Sequence, residues 1–113
     1  MMNITFRNRK LQKQCTDIKI ATIDYGAIMA KLIFRRLQEM RAIGSLADYM
    51  KLPEPRCHPL VGNLKGHYSA DLKHPQRLLF TIDQNPIPRL PNGGVDERLV
   101  TCVCIQTVAD THK

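Results

Sequence analysis

No apolar run in the 113 residues approaches the roughly 20 needed to span a bilayer, because Lys31, Arg35 and Arg36 interrupt the most apolar stretch. The opening MMNITFRNRK holds no apolar signal core. Repeats and low-complexity segments are likewise absent. A membrane span and export are therefore not expected, and a cytoplasmic location is. Acidic residues are scarce: ten Asp and Glu stand against 17 Lys and Arg, a formal charge of +7. On a chain this short the surplus favours a polyanionic partner, either nucleic acid or an acidic protein covering the same face. A merely basic, soluble surface is the plainer alternative.

Four cysteines at irregular positions, with no signal peptide, read as reduced thiols rather than a disulfide framework. Cys102 and Cys104 lie two apart in an apolar run, so on a strand they share one face and pack as small hydrophobes. Joined with Cys57 and His58 they would match none of the common structural zinc spacings. No metal site and no cofactor are expected.

The length suits one domain over residues 1 to 113, burying roughly two thirds of its unfolded surface. Residues 2 to 6 read as a first strand with Ile4 and Phe6 on one face, and RNRKLQKQ as a brief basic helix. Thr16 or Asp17 is placed to cap the segment after it. Met29, Ile33, Leu37 and Met40 recur at helical spacing, which predicts an amphipathic helix over residues 25 to 41 with Gly44 as its C-cap. SLADYM adds a further helical turn that Pro53 and Pro55 end. Strands are expected over residues 68 to 72, 76 to 82 and 99 to 108. The long loop 83 to 98, with three prolines and the turn signal Asn92-Gly93-Gly94, joins the last two. Helices first and strands later imply an α+β domain, a helical pair packed on a twisted antiparallel β-sheet whose other face stays partly open.

The polar residues fit for chemistry fall in the second half: His58, Lys65, His67, Arg77, Asp110 and His112, with Arg89 in the long loop. Cleaving RNA without a metal requires a base for the ribose 2'-hydroxyl, a cation for the phosphate, an acid for the leaving oxygen, and binding that aligns them. Histidine titrates near neutrality and suits the proton transfers, while Arg and Lys stay charged and suit the phosphate. Taken alone, the histidines of CHPLVGNLKGHYS are more simply incidental to a glycine-rich turn.

The order and spacing of His58-Pro59-Leu60, Gly62-Asn63-Leu64-Lys65-Gly66, Tyr68-Ser69 and Arg77-Leu78-Leu79-Phe80 resemble the RelE/ParE superfamily of bacterial toxins, in its plasmid-maintenance killer or HigB-like branch. The resemblance implies an α+β toxin of a type II toxin-antitoxin system, an endoribonuclease that cleaves mRNA at the ribosome. It also implies a toxin-antitoxin hetero-oligomer with a cognate antitoxin of helix-turn-helix type. It assigns catalysis to His58, Arg77, Asp110 and His112, and RNA or phosphate binding to Lys65. His67 takes the place of an aromatic residue in many relatives, and its ring nitrogen joins that binding set with Arg89. Two positions depart from the pattern: Val61 replaces a lysine and Thr111 a tyrosine. Such a site relies on Lys65 and His67 instead, works slowly, or is inactive. Two other classes stay open, a non-cleaving inhibitor of gyrase or the ribosome on the same scaffold, and a basic structural protein.

Overall fold

The computed structural model describes residues 1–110. In chain order the elements are β1 (Asn3–Phe6), α1 (Arg9–Thr16), α2 (Ile18–Tyr25), α3 (Ala27–Ala42), α4 (Leu46–Met50), β2 (His58–Pro59), β3 (His67–Asp71), β4 (Gln76–Ile82) and β5 (Cys102–Asp110). The strands form one sheet in the order β1-β5-β4-β3-β2. Three of its pairings are antiparallel, and the edge strand β1 runs parallel to β5. The α+β expectation holds, and the wholly antiparallel sheet becomes a mixed one. β1 adds to the sheet only after the helices have carried the chain away and back, so its pairing with β5 spans nearly the whole sequence.

The helical half has more joints than expected. Asn8 caps α1 by accepting from the Leu11 amide at 2.8 Å. Asp17 ends α1 and caps α2, accepting from the Lys19 amide at 2.9 Å. Gly26, at φ +86°, separates α2 from α3 in a backbone region that L side chains rarely enter. The helix expected over residues 25 to 41 thus begins one joint later, at Ala27, and its C-cap is Ile43 rather than Gly44. No helix among the described residues is long and apolar enough to cross a membrane.

Helices α1, α3 and α4 cover one face of the sheet, and α2 packs on α1 and α3. Ile33, Leu37 and Met40 of α3, with Leu46 and Tyr49 of α4, pack on Tyr68, Ala70, Leu78, Phe80, Val103 and Ile105 of the strands. Because strand side chains alternate, the other face receives His67, Ser69 and Asp71 from β3, and Arg77, Leu79 and Thr81 from β4. A bulge between Leu79 and Phe80 shifts the register with β5. It leaves Gln106 extra in that strand, where its amide donates to the Thr81 hydroxyl at 3.0 Å. Cys102 and Cys104 do share a face, the one opposite the buried Val103 and Ile105, and are half-buried there.

The long segment after β4 builds structure of its own. Arg89 and Val95 form an isolated antiparallel bridge. The Leu90 amide donates to the Gly94 carbonyl at 2.7 Å, and the Asp96 amide to that of Pro88 at 2.9 Å. A single 3-10 turn, Glu97–Leu99, then leads into β5, which starts later than residue 99 and extends to Asp110.

Candidate functional site

The site begins where the helical half ends. After α4 the Pro55 carbonyl accepts from the Asp71 amide at 2.7 Å, which ties the chain to the sheet. Arg56 then takes φ +47°, the left-handed region, and turns the backbone. The turn sends Cys57 into the core and His58 outward onto the helix-free face, opposite Ser69. His58 Nδ1 lies 3.1 Å from the Pro59 carbonyl oxygen and so donates to it. That tautomer makes Nε2 the acceptor, and the Ser69 hydroxyl donates to it at 3.5 Å. Ser69 is fully buried beneath it.

Arg77 stands on the same face, one row of the sheet further on, with 16% of its side chain exposed. Its Nε is 3.6 Å from Asp71 Oδ1, while Arg56 Nη1 is 3.7 Å from Asp71 Oδ2. The Asp71 backbone is itself fixed by α3, since the buried Arg36 donates from Nε to the Asp71 carbonyl at 2.7 Å. Asp71 thus sits between two guanidinium groups beside a small cavity of about 180 Å³, which His74 and Gln76 also line. Such a place suits an anion, and Asp71 aims Arg77 at it.

On the other side of the His58 row, a groove of about 650 Å³ opens at the β2 edge. Lys65, His67 and Arg89 all line it, so the three residues assigned to RNA or phosphate binding converge on one concavity. The long loop contributes Ile87 and Val95 to its apolar wall, and the exposed Val61 stands at its margin. His67 Nδ1 is buried and has no hydrogen-bond partner, alone among buried side-chain nitrogens and oxygens of the described residues. The Tyr68 hydroxyl donates to Glu97 Oε2 at 2.7 Å beside it. Burial first, and then the Glu97 carboxylate, push the Tyr68 hydroxyl well above the ordinary phenol range, so it remains a donor.

The residues assigned from sequence therefore divide. His58, His67 and Arg77 share the helix-free face in three successive rows, each about 7 Å from the next along the strands. Asp110 pairs with Gln76 at the end of β5, and alternation turns it towards the opposite face from Arg77. His112 lies outside the described residues, as does Thr111. Sequence reasoning missed Arg56, Asp71 and Glu97. Glu97 meets Tyr68 across 29 positions of sequence, and no local pattern announces such a contact. The left-handed turn at Arg56 is equally silent, since arginine gives no cue for a positive φ.

No protein-family model matches the sequence, and no curated protein matches it either. Solved structures do. The YoeB-YefM complex from Staphylococcus aureus contains a chain 23% identical, with a TM-score of 0.55 over 100% of this chain and 99% of that one. The YoeB dimer from the same organism gives 22% identity and a TM-score of 0.54, covering 99% and 98% of the two chains. A YafQ mutant from E. coli is 14% identical, with a TM-score of 0.50 and coverage of 98% and 94%. Likeness across nearly the whole of both chains, at this level of identity, establishes that the chain has the α+β fold seen in the YoeB and YafQ structures.

Proposed function

We propose that the chain is the toxin of a type II toxin-antitoxin pair and a metal-independent endoribonuclease that cleaves mRNA at the ribosome. The observation that carries this reading is the helix-free sheet face. There His58, its Nε2 accepting from the Ser69 hydroxyl, lies one row from Arg77, and Lys65, His67 and Arg89 line the groove at the neighbouring sheet edge. The full-length likeness to the YoeB chain of a YoeB-YefM complex supports it at the level of fold. The spacing of the His-Pro-Leu and Gly-x-Leu-Lys-Gly segments further suggests the HigB-like, plasmid-maintenance branch.

In this mechanism His58 Nε2 takes the proton of the ribose 2'-hydroxyl, which attacks the adjacent phosphorus in line with the leaving 5'-oxygen. Arg77 stabilises the charge that builds on the non-bridging oxygens, an effect worth about 3 kcal/mol for a well-placed donor. His112 supplies the proton to the leaving oxygen, and Asp110, turned to the opposite face, takes no part in the transfer. Lys65, His67 and Arg89 hold the strand, compensating for the valine at position 61. The surplus of positive charge suits an acidic antitoxin as well as RNA.

Cell-free translation tests the reading. Purified chain should arrest synthesis and leave shortened mRNA. Arrest with intact mRNA would contradict cleavage and select the non-cleaving inhibitor, and undisturbed translation would contradict the toxin itself.

A further inference from the structure

The groove at the β2 edge holds more than a phosphate needs. A phosphate asks only for donors and positive charge, which Lys65 and Arg89 supply at its border. The same wall also carries a carboxylate, Glu97, and an apolar surface from Ile87 and Val95. Its volume of about 650 Å³ has room for a whole nucleotide. The inside of the groove is therefore matched to a flat, partly apolar group that has both acceptors and donors on its rim.

We infer that this loop-roofed groove is a base-binding subsite for guanine, the base of a nucleotide next to the bond that is cut. Guanine presents O6 and N7 as acceptors and its N2 amino group, beside N1–H, as donors. Arg89 uses one N–H on the Gly93 carbonyl at 3.3 Å and keeps the rest of its fork for O6 and N7. Glu97 is fixed for the N1 and N2 side: its Oε2 accepts from Tyr68, whose ring in turn stacks on Phe80 with centroids 5.9 Å apart. His67 lines the groove, so its ring senses a base bound there. The roof is already built, since the Arg89–Val95 bridge and the hydrogen bonds around it hold the loop without a ligand. Binding then costs little loop ordering. Adenine offers an amino group where guanine has O6, so it would set a donor against Arg89. Pyrimidines present one such edge group only.

The inference rests on the proposed RNA-cleaving function, and the two can fail separately. The full chain is titrated with 5'-GMP, 5'-IMP, 5'-AMP and 5'-UMP, with the ring nitrogens of His67 followed by NMR. GMP should shift the His67 signals and bind at least about tenfold tighter than AMP or UMP, and IMP, lacking the N2 amino group, should lose about tenfold. Glu97→Gln should erase the preference for GMP over IMP. Arg89→Ala, at an exposed side chain, should weaken GMP without lowering the thermal midpoint. Equal binding of all four nucleotides, or none, would overturn the guanine subsite, even if RNA is cleaved. GMP selectivity in a chain that leaves every RNA intact would keep the subsite and sink the nuclease.

Discussion

Arg36 takes a formal charge into the interior with only 4% of its surface exposed. It is tolerated because its donors are satisfied: Nε reaches the Asp71 carbonyl at 2.7 Å and Nη1 reaches Glu39 Oε1 at 3.1 Å. Arg36→Ala removes the clamp and leaves the half-buried Glu39 with only the Tyr49 hydroxyl as donor, so urea denaturation should show a loss of about 3 kcal/mol. The exposed neighbour Arg35, 60% accessible on its side chain, should lose next to nothing when replaced by alanine. Burial also sets the thiols. It pushes Cys15 up to about 11 and Cys57, where Glu97 adds to the effect, up to about 12. Both stay protonated and shielded in the folded chain, so iodoacetamide near pH 8 should modify the half-buried Cys102 and Cys104 well before them. The folded state keeps these protons after the unfolded chain has lost them, which gives the stability effect its sign. Their contribution is whole below the ordinary 9.0 and drains away as pH rises through 11 and 12, so the urea midpoint should fall on the alkaline side. A midpoint flat from pH 8 to 11 would contradict their burial.

At the scale of elements, the joints decide the helical half. A Cβ added at Gly26 would meet nothing within 4 Å, so Gly26→Ala isolates the backbone cost of φ +86° with ψ 161° and should destabilise by about 2 kcal/mol. An unchanged midpoint would mean that the α2–α3 joint is not left-handed. This joint also accounts for the part of the helical half that was hidden in the sequence. α3 was legible because Ile33, Leu37 and Met40 all reach the core. α2 was not, because Ile18 and Ile23 are 49% and 81% exposed, so its apolar residues trace no buried stripe. Among the strands, β4 was readable to the residue, as Gln76–Ile82 is apolar and central. β2, at two residues, is too short for any periodicity to mark, and the parallel β1–β5 pairing is set by packing rather than by either segment.

For the molecule as a whole, a net charge of +7 means that affinity for RNA should fall with salt. Each lost phosphate contact should lower the slope of log affinity against log salt by about 0.7, and Lys65→Ala is expected to do so for single-stranded RNA. An unchanged slope would remove Lys65 from the strand path. The site was half legible for a geometric reason. Residues 58 to 67 fold back on themselves, so neighbours in sequence remain neighbours in space, and Lys65 and His67 line one groove with Pro59, next in sequence to His58. Arg77 lies on the helix-free face with His58 and His67, but the Asp71 that holds it, and the Arg56 that pairs with Asp71, come from other turns of the chain. Asp110, expected beside it, is turned to the other face by strand alternation.

The proposed mechanism stands or falls on whether His58 and Arg77 cut RNA together on the helix-free face. Primer extension on cellular mRNA after induced expression decides it. The native chain should give discrete cleavage positions, and His58→Ala and Arg77→Ala, both folded by circular dichroism, should each reduce them by at least about a hundredfold. Unchanged cleavage by either folded variant, or no cleavage by the native chain, would contradict it.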